Sequence, residues 1–391
     1  MTGTDNQSSF LGRISIRRNQ VNAMDGSHEQ EIEDLDLFQK QVSDRFAELL
    51  SAPDDSPAGA DAFLSISWIR KLLDVFLSCE AECKGMLLMG CDAAQISKSP
   101  LDRLIPEILD RVVKALDICN AVANGLELVR HCQRLGEIAV LALEQKPFGE
   151  GPARRAKKAL VSLMLAMHLD DKESSGTKTT ERSWSFGRRS CNKDRAPFGQ
   201  YKSLSWLVAK NWSAAKQIHA MTMNVVPPRG PEASGLPSLV FIMNLIMVFV
   251  MWVLIAAIPC QERNGLTTHL PIPKNVNWTH SLASLHDKIG DEWKKKEKKG
   301  MAGLLFELQK MEKLGQSLIE FTDSFQYPGE KDRVEEAAKQ VEELAEVCRR
   351  MEEGLVPLQM LTREVFHRLV RSRTEILDVL DQAAKSSSPV V

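Results

Sequence analysis

Cys79 and Cys83, one helical turn apart, are the pair of side chains in this sequence whose spacing comes nearest to a ligand set. The eight cysteines stand at 79, 83, 91, 119, 132, 191, 260 and 348, with no C-x-x-C spacing. No histidine lies at ligand distance, so a zinc site is not indicated and most of them read as small hydrophobes on helix faces. His131, His168, His219 and His367 fall singly on helical stretches, as surface or packed-core histidines do. Gly149-Glu150-Gly151 opens a helix but lacks a third glycine and a preceding strand, which makes it a loop and not a phosphate cradle. Neither a zinc-protease H-E-x-x-H nor a G-x-S-x-G elbow is present. The carboxylates are interspersed with lysine and arginine on helices, the pattern of solvated faces. Nothing in the residue types argues for catalysis, and no cofactor, metal or small-molecule substrate is implied.

Charge is more informative than nucleophiles. The formal net charge is -2. Residues 28–150 nevertheless carry 12 Lys/Arg against 22 Asp/Glu, a balance of -10, and residues 151–232 carry 15 against 6, a balance of +9. Arg154, Arg155, Lys157 and Lys158 crowd the start of a helix and oppose its macrodipole, a cost that an anionic partner would offset. Further on, Arg182, Arg188, Arg189, Lys193 and Arg195 surround Trp184 and Phe186 with only Asp194 against them. Such a segment can lay cations on anionic headgroups while its aromatics enter the interface, so these five are the candidate lipid contacts. Ser183, Ser185 and Ser190 lie among them. A phosphate on each would add about -1.5 to -2 and cancel the local charge, which predicts release from the membrane. No nucleic-acid recognition motif accompanies the basic region, and nucleic acid is not an expected partner.

The element that must organise these segments is LVFIMNLIMVFVMWVLIAAI at 239–258, broken only by Asn244. A run of about 20 apolar residues can span a hydrocarbon core as a helix, with Leu239, Phe241, Ile246, Phe249, Trp252 and Ile258 facing lipid. It can equally be a rod apolar all round because a large helical bundle encloses it. Trp252 sits inside the run, not at a membrane–water boundary, and no Lys/Arg ring flanks it. Arg229 upstream against Arg263 and Lys274 downstream sets no orientation. Both readings stand at this stage. The start, MTGTDNQSSFLGRISIRR, has neither a signal-peptide core nor a myristoylation Met-Gly, so synthesis is expected to finish in the cytosol unless the internal block inserts.

Around that block, apolar residues recur at spacings of three and four. After a polar stretch at 1–27, expected to be disordered, a helix from Gln30 buries Leu35, Phe38, Val42, Phe46 and Leu49, and a second from about Asp61 buries Ile66, Ile69, Leu73 and Phe76. Ser99 as N-cap and Pro100 at the first position predict a third, and Gly125 opens a fourth that runs to Glu144. A fifth covers Pro152 to His168, completing an N-terminal helical bundle at 28–168. A basic, Ser-rich linker follows at 169–202, then an amphipathic helix from Ser203 and a Pro-rich connector to 238. After the apolar block comes an irregular stretch at 259–281, holding the glycosylation pattern Asn277-Trp278-Thr279. A C-terminal bundle at 282–385 includes a heptad seam from Val334 to Met351 and a last helix from about Leu358, with a tail at 386–391. No apolar–polar alternation is long enough for a sheet. The expected class is all-α, a multi-helix bundle of long amphipathic helices with one very apolar helix at 239–258.

Several stretches resemble the plant ROH family, related to the BYPASS proteins: SWIRKLLDVFLSCEAE at 67–82, DRVVKALDICNA at 110–121, SWSFGRR at 183–189, WSAAKQ at 212–217 and VFVMWVLIAAIPCQER at 248–263. The resemblance runs in consistent order from 30 to 385. It implies a non-enzymatic plant protein that binds the rod-like subunit of the exocyst, the complex that tethers secretory vesicles to the plasma membrane. It implies roles in polarised secretion, wall polysaccharide deposition or root and shoot development, and a place at the membrane or in the cytoplasm at sites of secretion. It assigns no binding residue. A single-pass membrane protein acting in development without the exocyst is the other reading. Glycosylation of Asn277 separates them, since it requires the C-terminal half in the lumen.

Overall fold

The computed structural model describes residues 24–51, 62–90, 99–146, 149–168, 212–230, 235–260, 265–274, 276–297, 303–324 and 331–386. Those residues form helices and connecting turns, with no strand among them. In chain order the helices are α1 Met24–Leu50, α2 Ile66–Gly90, α3 Leu101–Leu143, α4 Glu150–His168, α5 Ala214–Thr222, α6 Leu236–Ala257, α7 His280–Glu297, α8 Phe306–Ser324 and α9 Lys331–Ser386. The all-α class read from periodicity is the class observed.

The apolar block is α6. Gly235 precedes it in a left-handed conformation at φ 69°, open to glycine at little cost, and Pro237 in the first turn fixes a helical φ where no N–H partner is needed. From Ser238 to Ala257 every residue is buried. Its walls are α2, α3, α5 and α7, with α1 reaching it through Phe46, whose ring meets Phe249 edge-on at 5.7 Å. A helix with no polar face needs such enclosure on all sides, because any exposed strip would leave aliphatic surface in water. Its last carbonyls are also satisfied within the chain: Leu304 N donates to Ala256 O at 2.9 Å and Leu305 N to Ala257 O at 3.0 Å.

The second half of α3 packs with α4, α8 and α9. Two glycines permit this approach. A Cβ on Gly136 of α3 would lie 2.5 Å from Met311 of α8 and 2.8 Å from Cys348 of α9, and one on Gly315 of α8 would lie 2.7 Å from Met164 of α4. Because α3 lines both α6 and this four-helix group, residues from 35 to 376 share one hydrophobic core.

Several expected boundaries differ, and α1 already begins at Met24, within the 1–27 stretch expected to be disordered. The third and fourth helices are one, Leu101–Leu143, and Gly125 lies within it, because a Cβ there would meet Pro259 O at 2.4 Å where the chain leaves α6. The heptad seam and the last helix are likewise one 56-residue helix. Gly354 and Pro357, which lie between those two expected segments, sit inside it, Gly354 giving room to Ile66. Ser99 is not the N-cap of α3. Pro100 holds that place without a side-chain bond, its carbonyl accepting from Leu104 N at 3.1 Å. The helix expected from Ser203 is described only as Ala214–Thr222, capped by Ser213 Oγ accepting from Lys216 N. Residues 203–211 lie outside the described residues.

Candidate functional site

Polar side chains enter this core at a few junctions, each holding helices in register. The first is at Asn244, the interruption in the apolar run. Arg111 of α3 donates from Nη1 to Asn244 Oδ1 at 3.3 Å, from Nε to Met221 O at 3.1 Å and from Nη2 to Met223 O at 2.7 Å. Nη2 also lies 3.5 Å from Glu107 Oε2. Arg111 is 5% exposed, and burial pulls its pKa below the ordinary guanidinium value, with Glu107 opposing. One planar fork thus ties α3 to the end of α5 and the middle of α6. Asn244 is no flaw in the run. It is the acceptor through which α6 is positioned along its axis.

Trp252 is fixed similarly. Its Nε1 donates to Thr267 O at 2.7 Å, and its ring lies 5.0 Å from that of His286 on α7. Burial lowers the pKa of His286, while a hydrogen bond to Asp287 opposes that shift. The other membrane candidates, Leu239, Phe241, Ile246, Phe249 and Ile258, are all buried against protein. The helix is long and apolar enough to cross a bilayer, and here helices of the same chain occupy the places lipid would take.

Glu307 marks a third junction. Its Oε1 accepts from Ile66 N at 3.0 Å and so caps α2 from the first turn of α8, next to Phe306 N donating to Leu64 O. Its Oε2 is buried without a hydrogen-bond partner among the described residues. Burial pushes the Glu307 carboxyl up to about 7, against the lowering effect of the backbone hydrogen bonds. The folded state therefore keeps a proton that the unfolded chain releases near 4.5, and stability falls as pH rises from about 4.5 to about 7. Glu307→Gln keeps the cap and removes the buried charge. It is expected to flatten that dependence and raise stability at pH 8, measured by urea unfolding across this range. The N-termini of α2 and α8 both favour the ionised form, which sets the gain on the order of 2 kcal/mol.

Between α2 and its neighbours the polar contacts are ionic. Arg45 of α1 holds Glu82 in two bonds of 2.8 and 2.6 Å. Glu80 of α2, buried, accepts from Ser372 of α9 and lies 3.7 Å from Arg368. Neither group was singled out from the sequence, because pairing across 37 and 292 positions leaves no local signal.

Cys79 and Cys83 are both buried on α2, and burial pushes the Cys79 thiol up to about 11 despite Arg45 nearby. Cys119, Cys132 and Cys348 are pushed up to about 12 by burial. These thiols are protonated at neutral pH and pack as hydrophobes. Among the described residues no three His, Cys, Asp or Glu side chains gather in a metal-binding arrangement. His131, His219 and His367 are exposed. The phosphorylation candidates Ser183, Ser185 and Ser190 and the lipid-contact candidates Arg182, Arg188, Arg189, Lys193 and Arg195 lie outside the described residues.

The helical bundle built round one apolar rod carries the same stretches that suggested the family, and a comparison over the full length decides the matter. The sequence profile of the ROH1-like proteins matches residues 1–380. The chain belongs to the ROH1-like family. Protein ROH1A of Arabidopsis thaliana is 62% identical, with 99% of each chain covered, and Protein ROH1D of the same plant is 39% identical over 97% of this chain and 98% of its own. No solved structure matches. In the family stretch 248–263, the segment from Val248 to Ala257 is the C-terminal half of α6, and Pro259 is the residue whose carbonyl closes on Gly125. SWIRKLLDVFLSCEAE supplies the α2 wall together with Glu80 and Glu82, and DRVVKALDICNA contains Arg111. These family-like stretches therefore hold the rod, its walls and the polar ties between them.

Proposed function

We propose that this member of the ROH1-like family is a non-enzymatic adaptor that binds the rod-like subunit of the exocyst and supports polarised secretion or cell-wall deposition, working on the cytosolic side of the membrane. The observation that carries this reading is the full-length match to the family, whose resemblance implies that partner. The fold suits the role. α9, at 56 residues and so about 84 Å long, offers an extended helical surface to a helical rod. The acidic 28–150 region and the basic 151–232 region give a charge-steered encounter.

The test is capture of the purified exocyst rod subunit by the full chain. Binding is expected at 0.1 M salt and markedly weaker at 1 M, as the Debye length drops from about 10 Å to about 3 Å. No capture at low salt would sink the adaptor reading.

The alternative, a single-pass membrane protein, rests on the length and apolarity of α6. It predicts resistance to carbonate extraction and a glycan on Asn277. Burial of α6 among helices of its own chain favours extraction by carbonate and no glycosidase-sensitive shift.

A further inference from the structure

We propose that the outer face of the α3–α4 hairpin docks on an anionic lipid surface. Five large apolar side chains that the fold leaves in water lie on these two helices; apart from Val113 they are Ile138 and Leu141 of α3, 52% and 65% exposed, and Val161 and Leu165 of α4, 38% and 59% exposed. Each pair is spaced by three or four residues and so shares a helix face.

The neighbours fix where those faces point. On α3, Gly136 meets α8 and α9, and Ile138, two positions on and so roughly 200° round the helix, turns away from both. On α4, Leu160, Leu163 and Met164 meet Gly315 of α8, and Lys157 pairs with Asp323, which turns Lys158 and Leu165 outward. Arg154, Lys158, Val161 and Leu165 recur at four, three and four, a single stripe of cations followed by aliphatics.

The cations lack strong internal partners. Arg154 meets Glu150 through an exposed i,i+4 pair, with side chains 82% and 77% exposed, a contact of little weight. Arg155 donates to the Gln145 amide at the hairpin turn. Neither Arg155 nor Lys158 has a carboxylate partner among the described residues. All three sit in the first turns of α4, where the macrodipole disfavours positive charge and a negatively charged surface removes the penalty. Cations beside exposed aliphatics match a bilayer interface, where phosphates meet the former and acyl chains the latter. The surface is independent of the exocyst reading.

Flotation of the full chain with vesicles tests it. Binding is expected to vesicles of phosphatidylcholine with phosphatidylserine and not to phosphatidylcholine alone. Arg155→Glu with Lys158→Glu should lower the bound fraction at least about tenfold. Ile138→Glu with Leu165→Glu should also reduce it, with unchanged circular dichroism, and Met360→Glu on the exposed face of α9 should not. Each variant is compared in the parent and with Ser183, Ser185 and Ser190 changed to Glu, so that binding through the basic 182–195 segment is read separately. Absence of parental binding overturns the proposal, as does either double variant binding like its parent in both backgrounds. Loss of exocyst-subunit capture by these variants with vesicle binding intact assigns the face to a protein and overturns it equally.

Discussion

Deletion of Leu236–Ala257 is expected to abolish the helical fold, with loss of the cooperative thermal transition by circular dichroism and passage into aggregates on size exclusion. For a membrane anchor, the same deletion would release a folded soluble protein. The two outcomes differ because of what α6 contacts. Phe249, Trp252, Leu245, Ile246 and Ile255 are each 0% exposed, and each is enclosed by helices of its own chain. Full burial of a large aliphatic or aromatic side chain contributes about 1.5–3 kcal/mol, so about five of them already equal the 5–15 kcal/mol that separates a typical fold from its unfolded chain. Without α6, the inner faces of α2, α3, α5 and α7 would surround a void or collapse out of register. A deletion variant that remained monomeric and helical would show that the rod is dispensable to the bundle.

Arg111→Ala is expected to cost about 3–5 kcal/mol, read as a lowered urea midpoint at unchanged slope. The loss is large because the guanidinium satisfies three acceptors at once, Met221 O, Met223 O and Asn244 Oδ1. A buried acceptor left unpaired costs about 1–3 kcal/mol. Arg111→Lys should recover part of the loss, since an ammonium keeps the charge but cannot span three directions in one plane. Asn244→Leu should cost less than Arg111→Ala, because it removes one acceptor and leaves Arg111 its two carbonyls. A midpoint for Arg111→Ala within experimental error of the parent would remove Arg111 as the tie between α3, α5 and α6.

The sequence alone determined the secondary structure and the fold class. Residues such as Phe38, Val42 and Phe46, or Leu344, Cys348 and Met351, recur at spacings that only a helix can turn to one side, and those side chains are the buried ones. It also marked α6 to within three residues at its start and one at its end, since composition suffices when every position is apolar. What surrounds α6 was not legible. A lipid tail and a leucine-lined helix face offer the same apolar environment, so a sequence that is satisfied by either does not distinguish them, and the choice lies with the faces of α2, α3, α5 and α7. Two of the missed boundaries have the same origin. Gly125 and Gly354 carry the local signature of a helix end, yet each continues its helix because another chain segment, Pro259 O or Ile66, occupies the space a Cβ would need. Pro100 took the cap expected of Ser99. The polar ties were equally hidden, Arg111 lying 133 positions from Asn244 and Glu307 lying 241 from the Ile66 N–H it caps. Periodicity reports which side of a helix is apolar, a local property of the chain. Which partner covers that side, and where a backbone comes close enough to exclude a Cβ or claim a hydrogen bond, depends on contacts between distant residues, and only the tertiary structure decides them.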